Sequence, residues 1–157
     1  MSKREEIIKK MKDVRDKLNR EIKKIPREKW EKPLGPDKWN LKSFIIHITH
    51  WNRWGFNKIR GYLEGEERCF QAEGPEKIDS LNNKIAEAWS FHPDIDIEMD
   101  FQLQFKDMLS YLESLPEQVF MREIEYGKKK FTIDQWFDFF CEHEKEHLKQ
   151  LEELNHG

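Results

Sequence analysis

The sequence predicts an all-α fold, a four-helix bundle with one extra shorter helix. Three observations carry that expectation. Apolar residues recur at three- and four-residue steps in long segments, the period of a helix with one buried face. Only 7 glycines and 6 prolines occur in 157 residues, few for the many turns of an all-β chain. The 11 Phe, 6 Trp and 3 Tyr supply bulk for a core between packed helices. At this length one domain over residues 1–157 is the expectation.

The first helix is expected over about residues 3–24, where Ile7, Met11, Val14, Leu18 and Ile22 form a single stripe and Lys, Arg and Glu fill the other faces. Pro26, Pro33, Gly35 and Pro36 then mark a connection. A second helix begins after Asn40, a good N-cap residue, and runs to about Leu63 through Leu41, Phe44, Ile45, Ile48, Trp51 and Ile59. Gly55 weakens that helix without stopping it, Gly65 is the expected terminator, and "EGEERCFQAEGP" reads as a loop. Pro75 suits a first helical position, so a shorter helix is expected from there to about Phe91. "HPDID" interrupts, and a fourth helix follows from "IEMDF" to about Leu115, with Phe101, Phe105, Met108 and Leu112 on one face. Ile124 and Tyr126 suit a brief strand-like arm turning at Gly127. The last helix has the clearest start. Thr132 and Gln135 are spaced as a capping box, and Phe131 and Trp136 fit a hydrophobic staple.

Charge and cysteine content bound the function. Lys+Arg 28 against Asp+Glu 31 gives a net charge of −3, without the basic excess of a dedicated nucleic-acid binder, and "KKK" at 128–130 reads as a solvated turn. No nucleic-acid partner is expected. The amphipathic N-terminus lacks the apolar run of a signal peptide, and no stretch approaches a membrane span. Two cysteines make no disulfide framework: Cys141 is expected in the core and Cys69 at the surface. A soluble, cytoplasmic protein is the expectation.

The stretch "FFCEHEKEHLKQLEEL" carries the chemistry. Ile133, Trp136, Phe140, Leu151 and Leu154 lie on one helical face, and continuing that stripe across its gap demands positions 143 and 147. Both are histidines, so polar rings stand where apolar ones are expected. Burying such groups without partners costs about 1–3 kcal/mol each. They are therefore hydrogen-bonded, hydrated or bound to something, and the i, i+4 spacing lets two imidazoles share one metal ion. Glu144 and its charged neighbours fall to the sides. "HEKEH" also spells HExxH, in which the Glu is the general base of zinc proteases, but that reading wants a sheet and a distal third ligand. In the second helix His47 shares a face with Phe44, Trp51 and Trp54 and is the better third ligand, with His50 about 60° away around the axis. His92 and His156 read as surface residues. Trp51, Trp54 and Phe140 suit either the wall of a pocket or ordinary core packing. Glu144 is the nearest acid or base by sequence, although its angle points it away from the stripe.

The segments "KWNLKSFIIHITHW" and "HEKEH", in this order and spacing, make the chain resemble the DinB/YfiT-like superfamily of metal-binding helical bundles. Trp39 stands eight residues before His47, matching that family's Trp-Ser-x6-His pattern, with Asn40 where Ser is usual; His143 and His147 match its His-x3-His. "IDSLNNKIAEAW" and "LSYLESLPEQVF" resemble the segments between, so the likeness spans nearly the whole chain. The resemblance implies one divalent metal ion held by His47, His143 and His147, zinc or nickel foremost and iron next. It implies a homodimer, and a metal-dependent enzyme that acts on small electrophilic molecules as a thiol S-transferase or a hydrolase. A low-molecular-weight thiol would then be a partner. The alternative is a non-catalytic metal- or ligand-binding stress or damage-response bundle. A third reading has the histidines satisfied by hydrogen bonds alone.

Overall fold

Ser2 opens the first helix through a complete capping box. Its hydroxyl accepts the Glu5 backbone N–H while the Glu5 carboxylate accepts from the Ser2 backbone. In the computed structural model, residues 1–35, 39–65 and 75–156 are described, with side chains of the third helix from residue 78 onward. The helices are α1 (Lys3–Lys23), α2 (Leu41–Leu63), α3 (Pro75–Trp89), α4 (Asp94–Ser114) and α5 (Ile133–His156). The strands β1 (Glu123–Tyr126) and β2 (Lys129–Thr132) pair antiparallel, Glu123 opposite Thr132 and Tyr126 opposite Lys129, with Gly127 at φ 60° in the turn. The long helices α1, α2, α4 and α5 form the bundle, and the shorter α3 lies against α2.

Local chemistry explains most boundaries. The Asn40 side chain accepts the Ser43 N–H at 2.8 Å and starts α2. Gly65 at φ 91° follows its end. At α5 the box is half made: Gln135 accepts the Thr132 backbone N–H at 3.0 Å, while the Thr132 hydroxyl donates to the Asp134 carboxylate instead. α4 starts earlier than "IEMDF" suggests. Pro93 sits extended at ψ 149° just before it, and Asp94 and Asp96 favour the positive end of the helix. The stretch around Cys69, read as a loop, lies outside the described residues.

The core is divided. One apolar cluster contains Ile7, Met11 and Val14 of α1, Phe56 and Ile59 of α2, Met108 and Leu112 of α4, and Ile133 to Cys141 of α5. The other contains Leu18 and Ile22, Leu41 to Ile48, Ile97 and Phe101, and Leu148 and Leu151. The buried polar residues include at least one from every bundle helix, among them Arg15, Asn52, Gln104 and Glu144. The Glu144 carboxylate accepts from Arg15 Nε at 2.6 Å and Nη2 at 3.2 Å, and from Asn52 Nδ2 at 3.0 Å. Arg15 Nη1 donates to the Phe101 carbonyl at 3.1 Å, and the guanidinium stacks 3.8 Å from the Phe101 ring and 4.1 Å from the Phe105 ring. One network therefore touches all four helices.

Gly55 is the point where α5 presses on α2. The Phe140 ring lies on its Cα face, and the Trp136 indole N–H donates to its carbonyl at 3.1 Å. A Cβ at position 55 would overlap the Phe140 ring, with Cε1 only 2.9 Å away. Gly55→Ala gains about 1 kcal/mol of helix propensity but overpacks a buried contact at about 1–3 kcal/mol. A net loss of stability is expected in urea titrations, recovered when Phe140→Leu is added. A variant as stable as wild type would show that the ring moves freely.

Candidate metal centre

His47 lies on α2 and His143 and His147 on α5, one helical turn apart. Their Nε2 atoms meet. His47 is 3.3 Å from His143 and 3.0 Å from His147, and His143 and His147 are 3.0 Å apart. His47 is buried and the other two are half-buried. The Trp39 ring lies 5.2 Å from that of His47, and Phe44 meets His147 edge-on at 5.0 Å. Trp39 and Asn40, singled out in the sequence, thus stand beside the cluster and at the start of the helix that carries it. Among the described residues, His47, His143 and His147 are the group that could hold a metal ion.

The outer ring nitrogens decide which atoms face inward. His147 Nδ1 lies 2.9 Å from Gln150 Oε1. An amide oxygen only accepts, so Nδ1 carries the proton and Nε2 turns its lone pair to the cluster. His47 Nδ1 is buried without a hydrogen bond. Beside it stands Asn82, whose carbonyl oxygen accepts the Trp51 indole N–H at 2.6 Å. Burial first, and the neighbouring imidazoles second, hold His47 down at about 3 and His143 at about 4. Burial also lowers His147. These are neutral rings near pH 7, the protonation state that metal ligation requires.

The spacing fits a metal ion. A tetrahedral ion about 2.0–2.1 Å from each nitrogen places the nitrogens roughly 3.3–3.4 Å apart. The observed separations of 3.0, 3.0 and 3.3 Å fall within a few tenths of that. Three imidazoles leave a tetrahedral site one further position, the pattern of catalytic rather than structural centres.

Other sequence expectations fare unevenly. His92 and His156 are exposed, and the half-buried His50 faces Trp51 outside the cluster. Cys141 is buried, and burial pushes its thiol up to about 12. Trp51 and Trp54 are half-buried in a row of edge-on and tilted rings, Trp51 to Trp54 at 5.5 Å and Trp54 to Phe140 at 6.3 Å. The placement of Glu144 on the sides is wrong. The buried face of α5 runs through Ile133, Trp136, Phe137, Phe140, Cys141, Glu144, Leu148 and Leu151, while Leu154 is 36% exposed. Four of the five residues of the expected stripe are buried; only Leu154 falls outside, so the true face is turned by about 40° toward Glu144 and Leu148. Glu144 occupies the middle and the two histidines flank it toward α2. The Glu144 carboxylate is occupied by Arg15 and Asn52, so it is no general base and the HExxH reading falls. Sequence reasoning missed Arg15, Asn52, Asn82 and Gln150. The signal for the first was a charge breaking an apolar stripe, between Val14 and Leu18.

A helical bundle whose second and last helices meet through three convergent imidazoles is the class that fold and site define. The chain belongs to the DinB superfamily, whose model matches residues 10–151. YuaE of Bacillus subtilis (strain 168) is 22% identical over 142 residues, 85% of this chain and 88% of that protein. Among solved structures, YfiT from Bacillus subtilis, described as a probable metal-dependent hydrolase with an unusual four-helix bundle topology, matches with TM-score 0.68 at 16% identity. The match covers 96% of this chain and 85% of that one. The colibactin self-resistance protein ClbS, solved in complex with a dsDNA, matches with TM-score 0.82 at 15% identity over 98% and 96% of the two chains. These likenesses establish the fold. ClbS also overturns the expectation that nucleic acid is excluded as a partner. A nearly balanced net charge reports the sum over the surface, whereas duplex binding depends on how charge is distributed. No helix among the described residues is long and apolar enough to cross a membrane.

The depressed histidines fix the sign of an acid effect. Their folded values lie below the ordinary 6.5, so the unfolded chain binds more protons as pH falls. Their contribution to stability is complete above about 6.5 and is lost toward the folded values of about 4 and 3. In chelator-treated protein the urea midpoint is expected to fall between pH 7 and 5, and less steeply in His143→Gln. Equal slopes would contradict the burial of a neutral ring.

Proposed function

We propose that His47, His143 and His147 hold one divalent metal ion and that the protein is a metal-dependent enzyme acting on small electrophilic molecules. The observation that carries this is the convergence of three Nε2 atoms within 3.0–3.3 Å. A divalent ion in such a site acts as a Lewis acid and lowers the pKa of a water or thiol in its open position. Zinc and nickel are the first candidates and iron the next, since neutral imidazole suits all three.

The chain's own groups prepare that chemistry. Gln150 fixes the tautomer of His147, and Asn82 stands beside His47. The edges of Trp39 and Phe44 limit ring rotation. Trp51 and Trp54, half-buried and packed edge to face on the helix that carries His47, are the apolar faces we assign to the body of a substrate. The histidines come from positions far apart in the chain, so the proposed site needs α2 and α5 together. Hydrolysis and thiol transfer share this arrangement and differ only in the nucleophile, water or a low-molecular-weight thiol. The description of YfiT favours hydrolysis.

Untagged protein is expected to carry about one divalent ion per chain, and His147→Ala at least tenfold less under the same conditions. Loss of electrophile should then be measured across a panel, with and without thiol and chelator. Turnover that stops on chelation and returns on adding metal is the expected result. Bound metal without turnover would leave a binding protein, and metal-free wild type with an unaltered His147→Ala variant would contradict the metal centre.

A further inference from the structure

We propose that the buried Arg15–Glu144–Asn52 network sets the register of α2 against α5, so that His47 reaches His143 and His147. This rests on the metal-centre reading and assigns it a positioning apparatus.

The two helices that carry the histidines are not each other's main neighbours. α5 packs chiefly on α1, and α2 chiefly on α4 and α3. The alignment of α2 with α5 must therefore be transmitted through other helices or imposed by directional bonds. The cluster leaves little slack. Its nitrogens lie 3.0–3.3 Å apart, and a slip of one residue moves a side chain about 1.5 Å along the axis and 100° around it. Apolar packing is non-directional and does not by itself forbid such a slip.

The network supplies the direction. Glu144 follows His143 immediately, and Asn52 lies five residues after His47, so the amide bond at 3.0 Å ties α2 to α5 beside the cluster. Arg15 grips the same carboxylate from α1 with two bonds, at 2.6 and 3.2 Å, and reaches the α4 backbone at Phe101. Two donors on a planar guanidinium facing two carboxylate oxygens admit one geometry. Stability alone does not explain the network, since buried ion pairs often contribute no more than apolar residues of the same size. Fixing register is the role best attested for buried polar groups in packed helices. Glu144 is thus a positioning residue, turned away from the histidines whose location it sets.

Two variants separate register from stability. Asn52→Leu cuts the bond from α2 to Glu144, leaving the Trp136–Gly55 bond in place and Glu144 paired with Arg15. The double variant Arg15→Met/Glu144→Met replaces the ion pair with apolar bulk. Each is compared with wild type by thermal melting without metal, by Co²⁺ titration read from the visible absorption of the bound ion, and by nuclear Overhauser effects between the rings of His47 and His147. The expected result is a near-wild-type melting temperature in at least one variant, with Co²⁺ affinity about tenfold or more weaker and the inter-ring Overhauser effect abolished. Co²⁺ affinity and Overhauser effects equal to wild type in both variants would overturn the proposal. If the double variant does not fold, Asn52→Leu decides alone. If wild type binds no Co²⁺, the metal reading fails separately, and the inter-ring Overhauser effects in metal-free protein still decide whether the network sets the register.

Discussion

The buried polar layer is the constraint around which the bundle is organised. Arg15, Asn52, Gln104 and Glu144 interrupt the apolar faces of four different helices at one level and split the core in two. A charge on α1 is costly there unless its partner on α5 arrives at the same height. Sliding α1, α2 or α5 would therefore strand a charge or an amide in apolar surroundings. The layer penalises misalignment, and the apolar clusters on either side supply most of the driving force. Gly55 adds a steric check on the same pair of helices, since only a glycine lets Phe140 lie flat against α2.

The histidine cluster follows from that alignment. His143 and His147 flank the α5 position occupied by Glu144 and face α2, where His47 waits at the matching level. Three neutral rings pointing nitrogens at one another gain little from each other as hydrogen-bond partners, at least for His147, whose proton is committed to Gln150. Their arrangement makes physical sense as a set of lone pairs prepared for a cation. Two kinds of polar burial thus lie side by side. One is satisfied internally by opposite charge, and the other is the group that could hold a metal ion. Confusing the two is what makes "HEKEH" look like a protease motif, although its carboxylate serves the bundle.

Much of this was legible in the sequence because local chemistry determined it. Helix stripes, the Asn40 cap, the turn at Gly127 and the inward bias of His47 all follow from periodicity and side-chain type. Motif order pointed to His47, His143 and His147 as one group, and in the fold their Nε2 atoms do converge. The position of Glu144 was not legible. A stripe extrapolated across ten residues accumulates angular error, and choosing Leu154 instead of Leu148 as an anchor turned the expected face by about 40°. Arg15 and Asn52 were hidden for a different reason. A single polar residue within an apolar stripe gains its meaning only from partners on other helices, and no one-dimensional pattern displays them. Gln150 and Asn82 likewise matter only through the ring nitrogens they approach.

Relatives of this fold do different things: YfiT is described as a probable metal-dependent hydrolase and ClbS is solved with a dsDNA. The bundle is a frame, and function is argued from the groups it carries and not from the fold itself. The central claim is that three imidazoles share one cation. The most direct measurement is an anomalous difference map from crystals of untagged protein, collected at the absorption edge of the metal it carries. One peak about 2.0–2.2 Å from each of the three Nε2 atoms is the expected result. No peak there, with the rings instead bridged by water or turned apart, would contradict it.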